Sequence, residues 1–145
     1  MNQNAMNLRL NANAVISNEQ GKVLVLELKK GPFKGGLSIP GGGINPGELS
    51  SQAIRREILE ETRIDVSGPI KPFGFCELVH KGFNSHRVVL LLEGKGTGVP
   101  FETEEGIPQW ADVFSPEISG RLISFAKESI RIWKEGKSHF ILVEG

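Results

Sequence analysis

The sequence contains a single cysteine, Cys76, which excludes an internal disulfide and any zinc site built from several cysteines. Lysine and arginine together number 17, as do aspartate and glutamate, so the formal net charge is zero. A neutral chain is not typical of proteins that bind long stretches of nucleic acid, because their affinity comes largely from basic residues. It still allows an enzyme that touches only the end of a nucleic acid.

Long hydrophobic runs are also missing. The longest ones, such as Val88–Leu92, are far too short to span a bilayer, and the N-terminal residues contain no apolar signal core. With 145 residues and 39% apolar content, the chain has the size and composition of one globular domain. We therefore expect a single domain over residues 1–145, a cytoplasmic location and no membrane partner.

Short apolar or alternating segments predict the strands of a sheet. Leu8–Ile16 and Val23–Leu28 flank one turn, which favours a hairpin, and Ile70–Val79 and Ser85–Glu93 are predicted as two further strands. Brief strands are predicted at residues 37–39, 107–113 and 140–143. Three consecutive glycines at residues 41–43 predict either a backbone that approaches a ligand closely or a tight turn.

Two segments have the spacing of amphipathic helices. The first is Ser50–Thr62, where Ile54 and Ile58 form an apolar pair and one of the first two serines is the expected N-cap. The second spans residues 116–135, with a proline in its first turn and a glycine directly after it. Strands on both sides of one helix and a late second helix predict an α/β fold with a mixed sheet covered by helices.

The first helix carries three glutamates, Glu57, Glu60 and Glu61, at spacing i, i+3, i+4. At about 100° of rotation per residue, their carboxylates fall on one helix face. Because like charges at i,i+4 destabilise an isolated helix by about 0.2–0.5 kcal/mol, we expect a compensating cation. Mg²⁺ takes carboxylate oxygens and commonly shares its shell with substrate phosphates. The alternative is an acidic helix face that is simply solvated.

The stretch Gly42–Ile64 resembles the signature of the Nudix hydrolases. Five residues separate Gly42 from Glu48, and seven more separate Glu48 from the sequence REILEETRI at residues 56–64. The family pattern is Gly, five residues, Glu, seven residues, then Arg-Glu-aliphatic-any-Glu-Glu-any-Gly-aliphatic. Every defining position matches except Arg63, which stands where the family has glycine.

This resemblance implies an α/β/α sandwich that hydrolyses a phosphoanhydride bond with Mg²⁺ or Mn²⁺. The implied substrate is a nucleoside diphosphate linked to another group, such as a nucleoside triphosphate or a nucleotide sugar. Glu57, Glu60 and Glu61 correspond to the metal-ligand glutamates of the family, and the backbone carbonyl of Gly42 corresponds to a further ligand.

The resemblance also implies supporting and proton-accepting roles. Glu48 and Arg56 correspond to the pair that braces the loop against the helix, with Arg56 orienting the glutamates; an i,i+4 pair with a helix glutamate is the alternative. The general base in the family is a signature glutamate or a glutamate on a later loop. Here the candidates for the general base are Glu57, Glu104 and Glu105, and we favour Glu104 or Glu105.

The substrate and the assembly are less constrained by the sequence. Candidate phosphate contacts are Arg9, Lys34 and Arg87, with a solvated surface as the alternative. The chain has no tyrosine, so it lacks the tyrosine that marks some dinucleoside-polyphosphate hydrolases of the family. The alternatives to hydrolysis of a small nucleotide are a non-catalytic binding module of the same fold and an RNA 5′-end pyrophosphohydrolase. Residues 140–143 either finish the sheet or pair across a homodimer.

Overall fold

A computed structural model describes residues 6–145 of the chain. In chain order, the elements are β1 (Asn7–Ser17), β2 (Val23–Leu28), β3 (Leu37–Ser38), β4 (Gly41–Gly43), α1 (Ser50–Thr62), β5 (Lys71–His80), β6 (Ser85–Lys95), β7 (Gly106–Ala111), α2 (Pro116–Ser119), α3 (Ser124–Glu135) and β8 (His139–Glu144). The expected mixed sheet is confirmed. No helix in this described part combines the length and apolar content needed to cross a membrane.

The sheet has the strand order β3-β2-β1-β6-β5-β8, with β4 paired to β1 and β7 paired to β2. The pairs β1–β6 and β5–β8 are parallel, and the other pairs are antiparallel. The predicted hairpin of β1 and β2 pairs beside its turn, at Ser17 and Val23. Beyond that point the two strands have different partners: β2 pairs with β7, and β1 pairs with β4 and β6.

Each face of the sheet has its own apolar core. On one face, α3 packs Ile130 and Ile132 against strand residues that include Val15 and Leu91. Cys76 is buried in this core, and burial, with a smaller effect of a neighbouring carboxylate, raises the pKa of its thiol to about 12. Alternate residues of the same strands face the other side, so the expected α/β/α sandwich is confirmed.

On the second face, α1 lies close to β1 because β1 presents small residues there. Ala12 and Ala14 are fully covered by α1, which buries the predicted pair Ile54 and Ile58 against them. The predicted limits of this helix are confirmed. The predicted serine cap is wrong: Leu49 occupies the N-cap, and its N–H donates to the side-chain oxygen of the glutamine three residues later, at 2.8 Å.

The glycines at 41–43 form a strand, so the tight turn, one of the two predicted alternatives, is wrong. Asn13 is paired with Gly41 and Asn11 with Gly43, which places β4 against the middle of β1. A Cβ atom at Gly41 would lie 2.2 Å from the carbonyl oxygen of Ala12, and its φ is +154°. Glycine is therefore required by the close approach of two backbones.

The single helix predicted over residues 116–135 is also wrong, since it is divided into α2 and α3. Between them, Leu37 of β3 donates its N–H to the carbonyl of Arg121 at 3.0 Å and accepts the N–H of Ile123 at 2.9 Å. These hydrogen bonds hold the connecting segment extended beside the sheet. At the opposite edge, β8 finishes the sheet by pairing with β5, as one of the two alternatives predicted.

Candidate functional site

The acidic side of α1 faces the glycine strand β4. The N–H of Gly41 donates to Oε1 of Glu61 at 2.9 Å, and only 9% of Glu61 is exposed. A Cβ atom at Gly42 would lie 2.7 Å from the carboxylate carbon of Glu57, so any larger residue at this position would displace that carboxylate. The structure thus brings two of the three candidate metal-ligand glutamates to the glycine strand, with Glu57 beside Gly42, the glycine predicted to supply a carbonyl.

Arg56 joins the helix to the loop that precedes it. Its Nε and Nη2 donate to the two carboxylate oxygens of Glu48 at 2.8 and 2.9 Å. Its Nη1 donates to Glu57 at 2.8 Å, and Nη2 also reaches the carbonyl of Gly43 at 3.0 Å. The hydrogen bonds from Arg56, together with the N–H of Asn45, lower the pKa of Glu48 to about 2.

Glu60 lies at the outer end of this arrangement. Its side chain is 58% exposed, and its carboxylate is 3.7 Å from Nη1 of Arg56. An i,i+4 ion pair is thus the longest of the contacts that Arg56 makes with acids. The shorter ones, to Glu48 and Glu57, are the ones that fix the guanidinium.

Glu61 experiences the charge of the surrounding acids. Its pKa is raised to about 8, mainly because burial disfavours the charged form, although the hydrogen bond from Gly41 acts in the opposite direction. The negative charges of Glu57, Glu105 and Glu60 raise it further. Of the two candidate bases on the later loop, it is thus Glu105 whose charge acts on this carboxyl.

The loop before β7 is attached to the C-terminal end of α1. Oγ1 of Thr103 donates to the carbonyl of Glu61 at 3.0 Å, and Nζ of Lys29 donates to the carbonyl of Thr103 at 2.8 Å. Lys29 also forms an ion pair with Glu102. The sequence carries no spacing signal for these roles of Thr103 and Lys29, because the contacts join distant parts of the chain.

The donor atoms fit a divalent cation, although they are not yet assembled around one point. Within residues 6–145, no three His, Cys, Asp or Glu side chains are gathered as a ready metal site. Arg56 holds Glu57, and Glu60 extends toward solvent. The predicted ligands, three carboxylates and one glycine carbonyl, are nevertheless all oxygen donors, which is the type that Mg²⁺ and Mn²⁺ prefer. A cation here would also stabilise the charged form of the buried Glu61.

A cavity of about 500 Å³ opens on the α3 side of the sheet. Phe33, His80 and Phe83 form an aromatic cluster in its wall, with His80 stacked on Phe83 at a centroid distance of 3.9 Å. Lys30 and Arg87 add positive charge to the lining. This volume lies within the range of small-molecule sites, about 300–1,000 Å³.

The three candidate phosphate contacts are placed differently from one another. Arg87 lines this cavity, and Arg9 is its direct neighbour on the adjacent strand, so both side chains belong to the same face of the sheet. Lys34 is exposed on the loop between β2 and β3 and does not contribute to the cavity wall. The structure therefore brings together two of the three.

Comparison with known proteins identifies proteins that are similar to this chain. A family model described as the NUDIX domain matches residues 7–131. A segment of 47 residues is 43% identical to an ADP-ribose pyrophosphatase of Methanocaldococcus jannaschii and covers 32% of this chain and 28% of that protein. A segment of 48 residues is 42% identical to the nucleoside triphosphatase NudI of an Enterobacter species, covering 32% of this chain and 33% of the relative. Both matches span a third or less of these curated relatives.

A solved structure extends the likeness to nearly the whole fold. The NUDIX domain of Shewanella oneidensis NrtR, solved as a complex with ADP ribose, superposes with a TM-score of 0.76. The match covers 93% of this chain and 92% of that chain at 17% identity, so it concerns the fold alone.

Proposed function

This chain belongs to the Nudix hydrolase family, and we propose that it is a divalent-metal-dependent hydrolase of a phosphoanhydride bond in a nucleoside diphosphate linked to another group. The observation that carries the proposal is the meeting of Glu57 and Glu61 with the glycine strand, while Arg56 braces the same strand and its loop. ADP-ribose and nucleoside triphosphates are the first substrates to test, because the relatives are named for them.

The proposed ligands of a divalent cation are Glu57, Glu60, Glu61 and the carbonyl of Gly42. When bound, Mg²⁺ or Mn²⁺ would neutralise charge on the phosphates and favour ionisation of an attacking water. The rest of catalysis is then mostly positioning, since phosphoryl transfer requires little covalent chemistry from the protein.

The protein's own side chains supply that positioning. Arg56 holds one oxygen of Glu57 and both oxygens of Glu48, which limits the directions in which the Glu57 carboxylate can point. Thr103 keeps the later loop against the end of α1. We assign the general base to Glu105, which would accept the proton of the attacking water.

The cavity on the α3 side is the proposed site for the nucleoside part of the substrate. Its aromatic cluster offers faces on which a base can stack, and Arg87 offers a cation for a phosphate or ribose oxygen. Continuity of the chain supports this assignment: Lys29 contacts the acidic loop through Thr103, and the next residue, Lys30, lines the cavity.

The expected extent and location of the domain remain predictions. The family model supports one domain, and residues 1–5 of the predicted range 1–145 lie outside the described residues. The cytoplasmic location expected from the sequence likewise stays a prediction.

The experiment that tests the function is a release assay on purified protein with a panel of nucleotides that includes ADP-ribose and nucleoside triphosphates. Products are separated to identify the bond that is cut, with Mg²⁺, with Mn²⁺ and with a chelator. We expect metal-dependent release by the wild type and its near-complete loss in Glu60→Gln.

A matched control for this variant is Glu128→Gln, because Glu128 is a helix glutamate on α3, on the opposite side of the sheet from the acidic site. It should retain wild-type activity. Absence of release from every nucleotide, combined with tight binding of one of them, would contradict the hydrolase and favour a binding module of the same fold.

A further inference from the structure

Within residues 6–145, the sheet face that carries α1 is covered over only part of its area. Ala12, Ala14 and Ile16 of β1 and Leu92 of β6 are buried beneath Ile54 and its neighbours. Toward the N-terminal end of β1, the same face continues beyond the helix. There the strands β1, β6, β5 and β8 lie side by side with their side chains directed to the surface.

The strand register aligns the residues of this uncovered part into rows. Leu10 pairs with Val88, Val88 with Glu77, and Glu77 with Ile141. Since paired residues project to the same side of a sheet, the four side chains form one row across four strands. Half of Leu10 and 57% of Ile141 are exposed.

A second row lies further from α1. Leu8 pairs with His86, His86 with Val79, and Val79 with Val143. Leu8 is 65% exposed and Val143 is 59% exposed, although both are large apolar side chains. These two rows are called the open face below.

An aromatic pair borders the open face on the side of α1. Phe75 of β5 and His139 of β8 are directly paired in the sheet, and their rings stack at a centroid distance of 5.3 Å. Both are on the same face as Glu77 and Ile141, two residues further along the same strands. The pair therefore extends the apolar surface of β5 and β8.

The area of this surface corresponds to the centre of a protein interface. With strands about 4.8 Å apart and side chains about 6.8 Å apart along each strand, the open face and its aromatic border project to roughly 300 Å². That is the lower end of the range for the largest apolar patch on an ordinary monomer, about 300–600 Å², and it includes the polar side chains Glu77, His86 and His139. A standard interface buries about 800 Å² per partner, of which a polar rim forms the outer part.

The polar groups of the open face suit another copy of itself. Glu77 lies near its middle, His86 is the diagonal neighbour of Glu77 in the next row, and the bordering His139 lies diagonally on the other side. A second copy brings the same carboxylate and imidazoles, so imidazole N–H groups of one copy can donate hydrogen bonds to the carboxylate of the other across a two-fold axis. The formal net charge of zero also means that two copies do not repel each other at long range.

We propose that the open face binds a second copy of this chain and forms a two-fold symmetric dimer in which the two sheets pack face to face. The apolar centre is small for a permanent interface, so the dimer is reversible, with a dissociation constant in the micromolar range. It leaves the acidic side of α1 and the cavity on the α3 side free.

The test is sedimentation equilibrium of the full chain over a range of micromolar concentrations. We expect the mass to rise with concentration from 15.9 kDa toward about twice that value. Leu8→Glu and Ile141→Glu should each weaken dimerisation at least about tenfold, because each buries an unpaired carboxylate in the interface. Circular dichroism and thermal melting establish that both variants are folded.

The two variants separate the proposed dimer from pairing of the β8 edges. Leu8 is on β1, three strands away from that edge. An edge-to-edge dimer would therefore respond to Ile141→Glu and not to Leu8→Glu, and this result would overturn the proposal. Val99→Glu is the matched control, since Val99 is a 74% exposed apolar residue outside the sheet. A wild type that stays monomeric at every concentration, or a control as impaired as Leu8→Glu, would also overturn it.

Discussion

Helices α1 and α3 cover opposite faces of one sheet and share several features. They have 13 and 12 residues, and each ends at a residue with left-handed backbone, Arg63 with φ of 66° and Gly136 with φ of 71°. The N–H of each of these residues bonds to the carbonyl four positions earlier. Each helix also carries an arginine held between two glutamates.

The difference lies in what the arginine connects. Arg131 joins Glu128 and Glu135, which belong to its own helix. Arg56 joins its helix to Glu48 and Gly43, which belong to the preceding loop and strand. In α3, the arginine and its glutamates therefore only link residues on the surface of one helix. In α1, the same residue types hold the helix, the preceding loop and the glycine strand in fixed positions. Four predictions test this difference, and they follow from the largest expected effect to the smallest.

Glu105→Gln should cause the largest loss of kcat. Glu105 lies on the acidic loop beside the C-terminal end of α1, and we assign it as the general base. Loss of a general base typically lowers kcat by about 10²–10⁴-fold. Glu104→Gln is the matched control and should keep kcat within about threefold, a difference of less than 1 kcal/mol in the barrier. Steady-state kinetics on the best substrate of the panel measure both. An equal loss in the two variants would contradict the assignment to Glu105.

Arg56→Lys should lower kcat by about 10–100-fold, as is common when a residue that orients the ligands of a metal is changed. Lysine cannot reproduce the forked contact with Glu48. Arg131→Lys is the corresponding change on α3 and should leave stability nearly unchanged and kcat unaffected, because exposed ion pairs contribute little. Similar kinetics for the two variants would show that Arg56 does not position the site.

Glu61→Gln should change how the stability of metal-free protein depends on pH. The pKa of Glu61 is raised to about 8 in the folded protein, so the fold binds this proton more tightly than the unfolded chain does. Wild-type stability should therefore fall as the pH rises from the ordinary carboxyl pKa through about 8.

The Gln variant lacks this loss and should melt at a higher temperature than the wild type in alkaline buffer with a chelator. Thermal melting at several pH values measures it. Added Mg²⁺ should stabilise the wild type more than the variant. If the melting temperatures of the wild type and the variant changed equally with pH, the prediction would be contradicted.

Arg63→Gly should stabilise the protein slightly, because a side chain in the left-handed region costs about 1 kcal/mol. The side chain of Arg63 is exposed, so few contacts are lost. Gly136→Ala is the mirror experiment on α3 and should destabilise by about 1 kcal/mol. Chemical denaturation measures both. An Arg63→Gly variant clearly less stable than the wild type would show that the arginine side chain has a stabilising role.

Features that depend on local sequence could be predicted. The limits of α1 and its buried pair Ile54 and Ile58 follow from helical periodicity, and the structure confirms them. The mismatch at Arg63 also has a local explanation: the arginine takes a left-handed conformation, which is the one that glycine commonly supplies at a helix end. Arginine in place of the family glycine therefore changes only the residue at position 63, which keeps the backbone conformation expected of glycine.

Features that depend on distant partners could not be predicted. The strand Gly41–Gly43 has no side chains to show a pattern, and its pairing is set by β1. The apolar spacing over residues 116–135 continues through the break, because Leu122 packs into the same core while its neighbours bond to Leu37. Thr103 likewise acquires its position from a carbonyl of α1.

The buried thiol of Cys76 makes this protein its own reporter of unfolding. Because the thiol has a pKa of about 12 and is buried in the core between the sheet and α3, a thiol reagent reacts with it only when the core opens. The chain has no second cysteine to complicate the signal. The labelling rate, compared with that of the denatured chain, therefore gives the free energy of opening under native conditions, and the response of that rate to nucleotide or metal ions measures their binding without any turnover assay.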